Sequence, residues 1–210
     1  MTPPRFIVLD GMDGAGKSSQ IGPLTEWLAG RGQHVTTCRD PGSTPVGDAI
    51  RAILLDRHDL QLAPTAEMLL YMAARAQLVA EVIAPALGRG AWVVSDRYLL
   101  ANVVYQGHAG GLDPEAVRAV GAVATGGIEP DLVLLLDVDR DESARRLDRP
   151  LDKLENRGDA YRQRLRAGYL EEAARRPDLI RVVHAAGSVD DVAGRLRAAV
   201  TEHFQLDAAD

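Results

Sequence analysis

With 210 residues, 46% hydrophobic and 26% charged, the chain has material for one sizeable core and is too apolar for a disordered segment. A net charge of −6 argues against a protein that coats nucleic acid, although a few local arginines can still hold a phosphate. The single cysteine, Cys38, excludes a disulfide framework or a Cys-rich zinc site within one chain. With no signal-like start and no uncharged apolar run near the roughly 20 residues of a membrane span, a cytoplasmic address without a membrane partner is expected.

Strand-length apolar runs alternate with helical patterns along the chain. Phe6–Leu9 reads as a strand ending at Asp10-Gly11, and Lys17–Ala29 as an amphipathic helix stopped by Gly30-Arg31-Gly32. Val35–Cys38 is a second strand broken by Pro41-Gly42, and Val46–Leu55 a helix with Ile50, Ile53 and Leu54 on one face. Pro64–Leu87 is a long apolar helical stretch in which Pro85 predicts a bend. Trp92–Ser95 is a strand ending in Asp96-Arg97, and Asp113-Pro114 has the cap and first-turn proline of a helix start. Leu132–Leu136 reads as a fully covered central strand, 140–166 as a charge-rich segment, Ile180–Val183 as a fifth strand and Val189–Phe204 as a closing helix. Strands apolar at every position and alternating with helices predict an α/β fold, one five-stranded parallel sheet covered on both faces. No repeat or linker divides the chain, so residues 1–210 are expected to form a single domain, with 145–159 as a short lid.

The decisive local signal is Gly11-Met12-Asp13-Gly14-Ala15-Gly16-Lys17-Ser18. It matches the phosphate-binding pattern G-x-x-x-x-G-K-[ST], after a strand and at the start of a helix. Glycines let backbone N–H groups turn inward toward phosphate oxygens, and the helix N-terminus adds its partial positive charge. These eight residues are therefore the candidate ATP site of a P-loop NTPase. Lys17 is expected at the β- and γ-phosphates and the Ser18 hydroxyl on Mg2+. No N-K-x-D follows, so guanine readout is not expected, and the short chain suits a small kinase.

Four further segments occur in order: Arg39-Asp40-Pro41-Gly42-Ser43-Thr44, Tyr71-Met72-Ala73-Ala74-Arg75, Asp96-Arg97-Tyr98 and Tyr105-Gln106-Gly107. With the P-loop they resemble the bacterial thymidylate kinases, whose motifs are R-E-P-G-G-T, F-x-A-x-R, D-R-Y and Y-Q-G. The resemblance implies transfer of the γ-phosphate of ATP to dTMP, in a homodimer with ATP, dTMP and Mg2+ as its partners and no nucleic acid. It also implies roles for single residues. Tyr71 would stack on thymine and Arg75 donate to the base O4; by spacing alone the two simply share a helix face, as a core tyrosine capped by an arginine would. Asn102 and Gln106 match positions at the thymine edge, Tyr105 one beside the deoxyribose, and Asp13 one meeting the 3′-hydroxyl, though Asp13 in a P-loop can also orient the loop's own amides. Arg51 matches an arginine on the acceptor phosphate; exposed on a helix, it has an ordinary surface role as its alternative. Asp96, at the carboxyl end of a strand, is the candidate metal-linked acid, with Asp137 its rival, and Arg97 beside it suits a forked phosphate contact. The P-loop holds no arginine, so the lid is expected to supply the catalytic one, Arg146 or Arg149. Departures are Asp10 for the family's Glu, Asp40 and Ser43 for Glu and Gly, and Lys153 for Arg in the lid's D-R-x-E. The last casts doubt on a catalytic role at 153, because lysine cannot fork to two oxygens.

Overall fold

The computed structural model describes residues 3–139 and 158–206. Arg146, Arg149 and Lys153 lie outside the described residues. Strands β1 (Phe6–Asp10), β2 (Val35–Arg39), β3 (Trp92–Asp96), β4 (Leu132–Asp137) and β5 (Ile180–His184) form one parallel sheet in the order β2-β3-β1-β4-β5. The expected five parallel strands are all present. Because the chain runs from β1 to one side and later crosses to the other, β1 stands where the winding reverses. The crevice at the carboxyl ends of such strands is where ligands of open α/β sheets bind. Register sets Leu9 opposite Asp96, so Asp10-Gly11 emerges beside Asp96-Arg97.

Strand periodicity divides the core in two. Ile7, Leu9 and Leu134 face Leu24 and Leu28 of α1 (Lys17–Gly30) and Leu196 and Val200 of the last helix, α8 (Val189–Phe204). Phe6, Val8, Val133 and Leu135 face the other layer, where Leu78, Ile83, Tyr98, Leu165 and Tyr169 cover them. All five apolar residues of Leu132–Leu136 are at most 2% exposed. Each contributes roughly 1.5–3 kcal/mol of burial before entropy is subtracted.

Helix starts follow the local chemistry. The Thr44 hydroxyl accepts from Gly47 N at 2.9 Å to open α2 (Pro45–Leu55), and Asp113 accepts from Glu115 N at 3.1 Å to open α6 (Pro114–Thr125). Ser188 and Asp191 form a reciprocal capping box for α8. The long apolar helix is α3 (Pro64–Leu78), a π-helical turn (Val79–Ile83) and α4 (Ala84–Gly88). Pro85 donates no N–H and its ring crowds the preceding turn, and the helical ladder widens to the π form just before it. By length and hydropathy the 25 residues Pro64–Gly88 could cross a membrane. Here, however, Leu78 and Ile83 are sealed into the core and Arg75 is held in a buried ion pair.

Two helices had no sequence expectation. A short α5 (Leu99–Asn102) runs into a second π-helical turn, Val103–His108, which carries Tyr105 and Gln106. The end of the charge-rich segment is α7 (Asp159–Arg175), which buries Tyr161, Leu165, Gly168, Tyr169, Glu172 and Ala173 along one stripe.

Candidate active site

The carboxyl ends of β1, β2 and β3 open into a cavity of about 950 Å3. Of the sequence candidates among the described residues, all line it except Gly11, Met12 and Asp137. That volume is at the upper end of the roughly 300–1,000 Å3 of small-molecule sites, which suits two ligands meeting. It runs from the P-loop to Tyr71, Arg75, Asn102 and Gln106, and Gly187 to Val189 close it on a third side.

The loop's shape follows from its glycines. Gly11 has φ +136° and a Cβ there would sit 2.4 Å from the Leu136 carbonyl oxygen, so β4 admits only glycine. Gly16, at φ +90°, turns the chain into α1. Lys17 is 7% exposed, and its Nζ donates to the carbonyls of Gly11 (3.0 Å) and Met12 (2.9 Å), with Asp13 at 3.9 Å. Burial and the neighbouring Arg97 lower its pKa, against the opposing pull of Asp13 and Asp96. Without phosphate, this ammonium is held on the loop's own backbone.

Beside it, Ser18 Oγ donates to Asp96 Oδ2 at 3.0 Å. Asp137, the rival acid, instead receives both Nε and Nη2 of Arg166 at 2.9 Å and does not line the cavity. The geometry therefore favours Asp96 as the metal-linked acid. One hydroxyl and one carboxylate side by side are hard oxygens of the kind magnesium takes, together with waters and phosphates. Among the described residues no group of three His, Cys, Asp or Glu could hold a metal alone.

Arg97 joins four parts of the fold. Its Nη1 donates to Asp10 Oδ1 (3.2 Å), the Gly11 carbonyl (3.0 Å) and the Tyr169 hydroxyl (3.0 Å). Its Nη2 donates to Asp13 Oδ1 (2.5 Å) and the Tyr105 hydroxyl (3.1 Å). The residue sits at φ +70°, a strained conformation for a side chain of this size, and such strain collects at functional sites. Burial would raise the Asp13 pKa, but Arg97, Lys17 and the Tyr105 hydroxyl (2.8 Å) outweigh it and hold Asp13 well below the usual range. Asp10 goes the other way: full burial outweighs Arg97 and the Tyr169 hydroxyl at 2.7 Å, and its pKa is raised. Tyr169 was not a sequence candidate; its spacing from Tyr161 and Leu165 was the available signal, just past the charge-rich segment 140–166.

At the far end Arg75 is 1% exposed. Its Nε donates to Asp40 Oδ2 at 2.5 Å and Nη2 to the Tyr98 carbonyl at 3.2 Å, while Nη1 has the Met72 thioether at 3.1 Å, a weak acceptor. Arg75 is thus chiefly a buried ion-pair partner, with one nitrogen poorly engaged. Arg51 Nη1 donates to the Pro41 carbonyl at 2.9 Å, and burial followed by Arg39 lowers its pKa. Arg51 is therefore partly buried at the cavity wall, not an ordinary surface arginine. Arg39, quoted only as part of a motif, lines the cavity as well. Ser43 adopts φ +64°, where the resembled family has glycine; its hydroxyl accepts from Arg39 N at 2.8 Å and its own N–H donates to Asp48 at 3.2 Å.

A thymidylate kinase family model matches residues 9–195. The thymidylate kinase of Rhodopirellula baltica is 41% identical over 196 residues, 93% of this chain and 80% of that protein. That of Chromohalobacter salexigens is 42% identical over 208 residues, 97% and 98% of the two chains. The crystal structure of thymidylate kinase from Ehrlichia chaffeensis covers 95% of this chain with all of its own length, at a TM-score of 0.79 and 23% identity, and so supports the fold. Taken with the P-loop and the cavity it opens into, these matches show that the chain belongs to the thymidylate kinase family.

Proposed function

We propose that this enzyme transfers the γ-phosphate of ATP to dTMP, giving ADP and dTDP, and that the chain works as a single domain. The carrying observation is one cavity with a P-loop at one end and the Tyr71, Arg75, Asn102 and Gln106 cluster at the other. ATP phosphates bound at the loop amides offer Lys17 better acceptors than the carbonyls it now holds, and draw it onto the β- and γ-phosphates. Ser18 and Asp96 would hold Mg2+, which when bound neutralises charge on the bridging phosphates.

Base choice rests on two groups. Arg75 Nη1, with only a thioether for partner, is the donor for thymine O4. Asn102 Nδ2 is committed to Gln106 Oε1 at 2.7 Å, and its Oδ1 has no partner among the described residues. A buried orphan acceptor fits the thymine N3–H. Tyr71 supplies a ring to stack on, Arg51 and Arg97 bear on the acceptor phosphate, Tyr105 and Asp13 border the sugar, and Arg146 or Arg149 supplies the transition-state cation. The dTMP oxygen attacks in line and no covalent enzyme intermediate is needed. The same reading includes a cytoplasmic homodimer without nucleic-acid or membrane partners; exposed Leu69 and Val123, on the packed pair α3 and α6, support an apolar contact face. The test is ADP release with a panel of nucleoside monophosphates: dTMP should lead, and equal rates on dCMP or dAMP would refute the reading.

A further inference from the structure

One polar side chain belongs to no motif yet ends a chain of bonds at the base end of the cavity. Glu67, Gln106 and Asn102 are 5%, 2% and 2% exposed. Asn102 Nδ2 donates to Gln106 Oε1 at 2.7 Å, and Gln106 Nε2 donates to Glu67 Oε1 at 3.0 Å. A carboxamide turned end for end keeps its shape and reverses its polarity, so Asn102 and Gln106 each have two states that differ only in what they offer. The bond between them couples those states: if Gln106 turns, Asn102 must turn too or lose its partner.

Glu67 breaks the tie. An ionised carboxylate has acceptors only, so it takes an N–H of Gln106 and sends the Gln106 oxygen toward Asn102. Asn102 answers with its own N–H and is left with Oδ1, the atom that has no partner among the described residues. The reversed chain would set the Gln106 oxygen against the carboxylate, which disfavours it by about 10-fold to 100-fold, the scale of one buried unmet acceptor. Glu67 itself sits in the first turn of α3, where the helix N-terminus favours a negative charge.

We infer that Glu67 is a positioning residue that fixes Asn102 as an acceptor, and through it selects bases that carry a proton at N3. Thymine has that proton; cytosine has a lone pair there. This deepens the dTMP reading and rests on it, adding a second point of discrimination separate from Arg75 at O4.

The test uses the full chain, Glu67→Gln, and calorimetric Kd values for dTMP and for the analogue with a 5-methylisocytosine base, which keeps the C4 carbonyl but carries a lone pair at N3 and an amine at C2. A glutamine at 67 is close in shape but can donate or accept, so the chain loses its fixed direction. Wild type should bind the analogue ~10-fold to 100-fold more weakly than dTMP, the loss of one buried hydrogen bond. In Glu67→Gln that ratio should fall to about threefold or less, because the amides can turn together and offer Asn102 Nδ2 to the N3 lone pair. A purely structural role for Glu67 would weaken both ligands together and leave the ratio alone. Thermal unfolding checks the fold of each variant, and Glu67→Met, which removes the acceptor altogether, should lower the ratio as well. An unchanged ratio in the folded variants overturns the assignment, as does a wild type indifferent to N3. A wild type inactive on dTMP would instead overturn the proposed function beneath it.

Discussion

Arg75→Leu tests the site at its most buried cation. The side chains of Arg75 and Asp40 are 2% and 0% exposed and 2.5 Å apart, so the substitution leaves a carboxylate in the interior with no cation. Breaking a buried pair in this way costs about 3–5 kcal/mol. At roughly 2–4 °C per kcal/mol for a chain of this size, the melting temperature should fall by ~6–20 °C. Burial already outweighs Arg75 and raises the Asp40 pKa; losing the arginine raises it further. A carboxyl raised in the folded state contributes stability that is fully present below its unfolded pKa and lost as pH rises through the folded one. The gap between wild type and Arg75→Leu should therefore widen from about pH 4 to pH 7.5. Urea unfolding at both pH values reads it directly. Adding Asp40→Asn should make the double variant at least ~1 kcal/mol more stable than the sum of the single effects. A pH-independent gap, or a total loss below ~1 kcal/mol at neutral pH, would refute the buried-pair account.

Lys17→Ala should lower kcat by at least ~100-fold without loss of thermal stability, the scale of one electrostatic donor in a transition state; near-normal turnover in steady-state assays would remove Lys17 from the chemistry. Gly11→Ala should destabilise by several kcal/mol, because its Cβ would meet the Leu136 carbonyl oxygen at 2.4 Å; chemical denaturation within error of wild type would mean that β4 yields. Replacing Arg146 and Arg149 by Ala, singly and together, should cut kcat much more than ATP affinity, as single-turnover kinetics and ATP titration would report. Unchanged kcat in the double variant would rule out both residues as the transition-state cation.

The central strands were legible because Phe6–Leu9 and Leu132–Leu136 are apolar at every position, the mark of a sheet covered on both faces. The P-loop was legible because its glycines and its flanking strand and helix agree. Helix α7 was not: Tyr161, Leu165 and Tyr169 keep helical spacing, but three of the six residues between them are arginines, which dilutes the stripe. The segment after Asp96-Arg97 hid for another reason. Its π-helical turn breaks the 3.6-residue period that makes a helix readable, just where Tyr105 and Gln106 enter the cavity. Arg75 lines the cavity, yet its ion pair with Asp40 joins residues 35 apart, and no local pattern encodes which distant acid an arginine will meet.

The charges around the P-loop nearly cancel before any nucleotide arrives. Arg97 and Lys17 are the cations at its back, and Asp10 and Asp13 are the acids they face. A small dianion such as inorganic phosphate finds these cations already engaged, and must compete with a buried carboxylate for each. On the proposed reading a nucleoside triphosphate that brings its own divalent ion enters under different terms, since Ser18 and Asp96, 3.0 Å apart, would take the metal and the loop amides the phosphates. Internal neutralisation therefore leaves little unengaged positive charge at the back of the loop: Lys17 and Arg97 are turned inward onto carbonyls and carboxylates.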